Sequence, residues 1–419
     1  MVDSPARIAI IGMGGYAARH HDSVEGLEQQ GLCRLGVTCD PDPERFREAA
    51  KKWRLEERGV RIYTDYREML ARHARELDVV IIPTPIPLHA EMHQAAVEAG
   101  LAAYLEKPPT LDPDELEDMI ERDRRARVPT LVGFNFIAEP VRQGLKRRLL
   151  SGEFGSLRSA RLIGLWGRSA SYYRRTGWAG RLIGDDGRLI LDSCLGNGLS
   201  HHVHNLLHWA GLSGPDDWAR PTRVLSQLLR AHPIQGPDTV FLSAETGPGI
   251  RLRLALSHAC HGPDLHVETL DCDQARIEYI THSRATICWK DGAEERITLP
   301  AFDAQTENLM ALIECVKGLR PKPPTTLVDC RPFVHLHALA YVSSGQIADW
   351  PADEILGEAE DTTPGCLQIR NLREKAVGFL ENGQWPTATP PREVTAREVD
   401  QLQSVVRSMV LEKSAAIYA

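Results

Sequence analysis

Two textures of apolar residues divide the chain. In its first third, unbroken apolar runs (Ile8–Ile11, Leu77–Pro83, Leu101–Leu105) alternate with stretches whose apolar residues recur every three or four positions. Unbroken runs of this length mark strands covered on both faces, and their alternation with helices predicts a parallel sheet. Helices are expected from Ala17 to near Gly31 and over Ala90–Ala99, the latter stopped by Gly100. A last strand of this sheet is expected over Leu131–Phe136, and a helix over Pro140–Leu150. From Ser159 the pattern becomes period-two: Ser159–Trp166, Arg223–Leu229, Thr239–Glu245, Arg251–His258, Arg276–Ile280 and Ala285–Trp289 alternate, with turns such as Gly247-Pro248-Gly249 between them. Alternation predicts an antiparallel sheet with one half-buried face. Helices follow over Asn308–Val316 and from Asp329 to Ser344. Beyond residue 350, an acidic loop (Asp353–Asp361) precedes two helices. The last is opened by the capping box Thr395–Glu398 and carries Val399, Leu402, Val405, Val406 and Met409 on one face. The predicted division is 1–131, 132–348 and a helical extension 349–419.

The first strand runs into Gly12-Met13-Gly14-Gly15-Tyr16-Ala17. This G-x-G-x-x-A opening of a βαβ unit suits a dinucleotide: Gly12 allows the tight turn, Gly14 the approach of a pyrophosphate, and Ala17 close packing of helix on strand. The phosphates would sit on free N–H groups at the positive end of the helix. The second strand, Cys33–Cys39, ends at Asp40, where an acid accepts hydrogen bonds from the adenosine ribose. Its charge repels a 2′-phosphate, which favours NAD over NADP, with Arg45 placed to offset it. Asp40 is also placed to cap the helix starting at Pro43. Thr84–His89 and Glu106–Lys107 follow the fourth and fifth strands, at the same edge as the glycine turn and Asp40, where open α/β sheets bind ligands.

The set GMGGYA, PTPIPLH, EKPPTL and VGFNF resembles the family of glucose–fructose oxidoreductases, inositol dehydrogenases and rhizopine-catabolism proteins, over residues 6 to 345. The resemblance implies an α/β N-terminal Rossmann domain plus an α+β C-terminal domain with a large, mostly antiparallel sheet. It implies an NAD(P) cofactor lying between them and a sugar or cyclitol substrate on the sheet face. By this resemblance Lys107 is the catalytic lysine and Glu106 its cofactor-side neighbour, while Thr84, Pro85 and His89 line the cofactor. Ile86 departs from the asparagine frequent there. Asn135 is retained, but the arginine often two or three positions further on is replaced by Ile137 and Ala138. A lysine beside an oxidised nicotinamide feels a positive neighbour and partial desolvation, and both pull its pKa toward the operating pH.

The segment Leu191–Gly211 (LDSCLGNGLSHHVHNLLHWAG) holds the second concentration of chemistry. Ser200 reads as a helix start, with Val203, Leu206, Leu207 and Ala210 as the apolar stripe. The family places a histidine here, three residues before an aspartate, as partner to the lysine. Two registers fit: His202 with Asn205, and His201 with His204. In both the aspartate is replaced. Asp192 offers a carboxylate from the preceding loop, farther away than the family spacing. Asn197 and Trp166 complete the expected substrate contacts. Ligand count and chemistry speak against a metal.

Composition narrows the partners. A net charge of −8 over 419 residues argues against nucleic acid or an anionic membrane surface. Nine cysteines without a C-x-x-C, mostly in apolar runs, suit reduced thiols in the cytoplasm. No apolar run reaches the ~18 residues of a membrane span. Subunits are expected to pair through the second sheet as a homodimer or homotetramer. The functional expectation is an NAD(P)-dependent oxidoreductase acting on CH–OH groups. Its rivals are a glycoside-processing enzyme that retains NAD and oxidises transiently, and a non-catalytic NAD- and sugar-sensing protein.

Overall fold

The computed structural model describes residues 4–358, 365–388 and 391–418. The chain divides into two compact units. The first comprises Met1–Thr110, Asp114–Glu139 and Asp303–Arg331; the second comprises Leu111–Pro113, Pro140–Phe302 and Pro332–Ala419. The chain therefore returns to the first unit after building most of the second, and the tail beyond 349 belongs to the second.

In the first unit, β1 (Ala6–Ile11), β2 (Cys33–Cys39), β3 (Arg61–Tyr63), β4 (Val79–Ile82), β5 (Ala102–Leu105) and β6 (Leu131–Val132) form a sheet in the order β3-β2-β1-β4-β5-β6. Every pairing is parallel. Ile8, Ile10, Val79, Ile81 and Tyr104 are buried at its centre, as the unbroken apolar runs require. Strand order reverses between β1 and β4, the place where such sheets open a crevice. β6 is shorter than expected, and Asn135–Ala138 is a turn of 3₁₀ helix instead. The Tyr104 hydroxyl donates to Asn135 Oδ1 (2.8 Å) and draws that residue out of the strand line. The returning helix, Ala304–Val316, sets Leu309, Leu312 and Ile313 into the same core as Val24 and Leu27.

The second unit is built on β7 (Leu157–Leu165), β8 (Pro221–Arg230), β9 (Thr239–Thr246), β10 (Arg251–Ser257), β11 (Leu265–Cys272), β12 (Ala275–Ile280), β13 (Arg284–Trp289), β14 (Glu294–Thr298) and β15 (Ile347–Asp349). Their order is β14-β13-β12-β11-β7-β10-β9-β8-β15. Neighbours are antiparallel except β7 with β10 and β8 with β15, so the sheet is mixed and mostly antiparallel. Alternation along β7 places Leu162 and Gly164 under the helix Ser200–Ala210 and its lead-in, where Leu199 touches Gly164. Ile163 and Leu165 face the other way, against the helix Leu372–Asn382, whose Ala376 and Phe379 are buried on Phe241 and Ala255. The capping box at Thr395 and Glu398 is present and opens a short 3₁₀ turn before the helix Leu402–Tyr418. Part of the expected acidic loop (359–361) lies outside the described residues. All nine cysteines are free, and Cys288, expected in an apolar run, is exposed. No helix among the described residues is long and apolar enough to cross a membrane.

Candidate active site

In the first unit the expected residues collect at the carboxyl ends of β1, β2, β4 and β5. Gly12 sits at φ +119°, a conformation side chains resist, and its N–H donates to Cys39 O (2.7 Å). A Cβ on Gly12 would meet the Ala17 Cβ at 3.4 Å, so the two small residues depend on one another. Asp40 Oδ2 accepts the Met13 N–H (3.0 Å) and Oδ1 accepts the Asp42 N–H (3.0 Å). Its carboxylate is thereby fixed beside the glycine turn, while Asp42 takes the position before the turn at Pro43. The expected capping role of Asp40 is thus replaced by a brace across the loop. The Phe46 ring lies against Gly14, where a Cβ would come within 2.4 Å of it. Met13 is buried and Tyr16 half exposed. Below the turn, His21 stacks on Trp53 (4.2 Å) and its Nε2 faces Gly12 O at 3.2 Å. Burial lowers the His21 pKa to about 4, so the ring is neutral and donates to that carbonyl.

Glu106 Oε1 pairs with His20 Nε2 (2.9 Å), and Oε2 accepts the Lys107 N–H (3.2 Å). The carboxylate thus orients the backbone from which the half-buried Lys107 projects. Gly133 leaves it room, since a Cβ there would lie 2.9 Å from Glu106 Oε1. His89 is buried, with Nε2 facing Thr84 O (2.8 Å) and Nδ1 facing Pro108 O (2.9 Å). It ties the loop after β4 to the loop after β5, a bracing place rather than a lining one. Thr84 donates to the Met92 sulfur (3.3 Å), and Pro85 stands exposed. Asn135 is buried, its Oδ1 held by Tyr104 and its carbonyl by Asn308.

In the second unit, a wide turn (Cys194–Gly198) leads into the helix Ser200–Ala210. His202 presents Nδ1 3.6 Å from Oε1 of Glu268, which projects from β11. Glu268 is fully buried. Arg142 donates to both its oxygens (2.5 and 3.2 Å), Trp209 Nε1 donates to Oε2 (2.6 Å) and Asn205 Nδ2 to Oε1 (3.0 Å). Burial pushes its pKa up, but the Arg142 charge and the His202 contact outweigh that and hold it at about 2. The carboxylate missing from the helix is therefore supplied by the neighbouring strand, with Asn205 reaching across to it.

This arrangement separates the two registers. His202 and Asn205 share the carboxylate. His204 is buried on the other side, its Nδ1 accepting from Trp218 Nε1 (3.3 Å), and His201 is the half-exposed residue of the helix. Asp192 accepts from Gly180 N (2.6 Å) and Asn197 Nδ2 (2.9 Å), so this pair clamps the lead-in loop and Glu268 takes the place considered for Asp192. Trp166 stands just past β7, edge-on to His266 (5.7 Å) and His258 (6.4 Å), with the Arg168 guanidinium 3.6 Å over its ring. His266 stacks on His202 at 4.4 Å. Burial holds the pKa of His258 and of His266 down to about 3, leaving both rings neutral.

Glu268, Arg142, His258 and His266 are absent from the sequence-based expectations. A signal for two of them existed: alternation over Leu265–Cys272 puts His266, Glu268 and the buried Leu270 on one face. A glutamate in such an inward register needs a partner.

Together the glycine turn, the 3-2-1-4-5-6 sheet and the acid after β2 define a dinucleotide-binding unit joined to a mixed-sheet unit. Residues 6–134 match the model of the Gfo/Idh/MocA oxidoreductase family, NAD-binding Rossmann fold. The chain is 33% identical over 148 residues to the D-apiose dehydrogenase of Paraburkholderia graminis, across 35% of this chain and 37% of that protein. It is 27% identical over 200 residues to the D-glucoside 3-dehydrogenase of Escherichia coli, across 46% and 54%. The match thus spans well under two thirds of either relative. In fold it is similar to the WlbA dehydrogenase from Bordetella pertussis, solved with NADH and UDP-GlcNAcA: TM-score 0.66, 20% identity, 81% of this chain and 96% of that one.

Proposed function

We propose that the protein is an NAD-dependent oxidoreductase that moves a hydride between a hydroxyl-bearing carbon of a sugar or cyclitol and the nicotinamide ring. The observation that carries this reading is the His202–Glu268 pair, a histidine oriented by a carboxylate that is itself held by three donors. The first unit fits the cofactor. The N–H groups of Gly14, Gly15 and Tyr16 donate to no group among the described residues, as a phosphate cradle requires. The Asp40 carboxylate retains acceptor capacity for ribose hydroxyls and repels a 2′-phosphate, which supports NAD over NADP. NAD, when bound, supplies the hydride acceptor. The chain's own residues manage the proton. The Glu268 carboxylate lies 3.6 Å from His202 Nδ1, placed to stabilise the positive charge that develops when the ring takes the substrate hydroxyl proton. In the first unit, Lys107 is the group proposed to handle the hydroxyl proton.

The family relatives that are named as sugar dehydrogenases support this reading over the NAD-retaining and sensing alternatives, as does the intact Lys107. We assign the protein to the cytoplasm, as a homodimer or homotetramer. The test is a scan of NAD and NADP reduction over polyols, aldoses and glycosides, beside mass measurement of co-purified cofactor. Lys107→Ala is expected to lower kcat/KM on the substrate so found by about 10²–10⁴. Turnover close to wild type in that variant removes the lysine from the mechanism.

A further inference from the structure

Just past the end of β7, the second unit gathers more positive charge than it neutralises. The Arg168 guanidinium lies 3.6 Å over the Trp166 ring and 4.6 Å from the centre of the Tyr172 ring. Arg175 reaches the same Tyr172 ring at 3.5 Å, so two cations share one aromatic side chain. Neither side chain makes an ion pair or a hydrogen bond among the described residues. Two full charges act on Arg168: Arg175 repels it, and Asp264 attracts it without forming an ion pair. Burial, and after it the Arg175 charge, press the Arg168 pKa below its ordinary value, yet a guanidinium stays charged. Contact with the two rings offsets part of the cost of holding that charge out of water, and leaves its hydrogen-bonding capacity unused.

Burial reaches only the Nε of Arg168, which has no partner; the two terminal nitrogens keep solvent access. They form the end of a planar fork that takes two oxygens of a carboxylate or phosphate side by side. The fork is also within reach of the histidine already described. His202 stacks on His266 at 4.4 Å, His266 meets Trp166 at 5.7 Å, and Arg168 lies 3.6 Å over Trp166. The guanidinium is therefore no more than about 14 Å from the His202 ring. A hydrogen bond at each end takes up about 4 Å of this, leaving at most about 6 Å. One six-membered ring spans that distance, from a hydroxyl on one side to an acid group on the other.

We propose that Arg168 determines substrate specificity, taking the anionic group, carboxylate or phosphate, of a single-ring sugar or cyclitol whose reacting hydroxyl lies at His202. The proposal rests on the carbohydrate reading above and narrows its substrate class from neutral polyols to acidic ones. It gives Arg168 a part in binding and none in hydride transfer.

The test uses the full chain and matched probes: glucose, glucuronate and glucose 6-phosphate, with galactose and galacturonate as a second set. Binding is followed by calorimetry and turnover by NAD reduction, in wild type, Arg168→Gln and Arg168→Lys, each checked for folding by its thermal transition. Wild type is expected to favour an acidic probe over its neutral counterpart by about tenfold or more in kcat/KM or Kd. Arg168→Gln is expected to collapse that preference to about twofold, and Arg168→Lys to restore part of it. A preference for glucuronate identifies the group taken as a carboxylate, and one for glucose 6-phosphate as a phosphate. No binding of any acidic probe, no preference in wild type, or a preference that survives Arg168→Gln overturns the proposal. Acid binding that depends on Arg168 without NAD reduction keeps the anion site and removes the dehydrogenase reading. NAD reduction by neutral sugars with no preference for acids does the reverse.

Discussion

The two units build their chemistry in opposite ways. In the first, each functional piece is a short local segment at the end of a strand, and backbone conformation does much of the work: Gly12 at φ +119°, free N–H groups at a helix start, an acid one residue past β2. In the second, the central group is a side-chain network gathered from afar. Arg142 and Glu268 are 126 positions apart, and Glu268 and Asn205 are 63 apart. A local device is fixed by its own residues. A dispersed one depends on strand register and on every partner being present.

The sharpest way to break the contrast is Glu268→Ala. It takes the carboxylate away from the fully buried Arg142 guanidinium, and should cost about 3–5 kcal/mol in chemical denaturation. The double variant Glu268→Met with Arg142→Leu should recover most of that stability and none of the turnover, separating packing from catalysis. Acid should come next. His258 and His337 in the second unit have pKa values held to about 3 by burial, and His21 in the first to about 4. The unfolded chain takes up these protons first, near pH 6.5, so their contribution is complete above that pH and is lost as pH falls toward the folded values. By pH 5 each should cost about 2 kcal/mol, and hydrogen exchange should show the second unit loosening more than the first. The smallest effect belongs to the local device. Gly12→Ala should cost only about 1–2 kcal/mol in stability from backbone strain, yet abolish measurable NAD binding, because the distorted turn no longer presents its N–H groups.

The same contrast explains what could be read beforehand. The first unit was legible almost throughout, because unbroken apolar strands and the motifs after them are contiguous. The end of β6 departs from expectation, where Asn135, bonded by Tyr104, lies in a turn of 3₁₀ helix, and the short strand β3 and the helix Tyr66–His73 carry no signal that was read. In the second unit the alternating strands and the helix Ser200–Ala210 were anticipated, but β11 was not, and with it went Glu268 and His266. Nor could the choice between His201 and His202 be made, since both registers lack the aspartate and only strand placement reveals its substitute. His89 and His204 illustrate the converse: good candidates by type that serve, in place, to tie loops and fill a core.

The helix Leu372–Asn382 has a consequence for self-association. It lies across the middle of the broad sheet, seated on Phe241 and Ala255 and clamped at its far end by Arg253, which donates to Leu380 O and Glu381 O. Arg161 and Arg276 add ion pairs to Glu381. A second copy approaching that side meets Arg373, Glu374 and Val377 before it meets a strand. Any pairing made there would be helix-mediated, and shortening the tail would strip the sheet of its cover on that side.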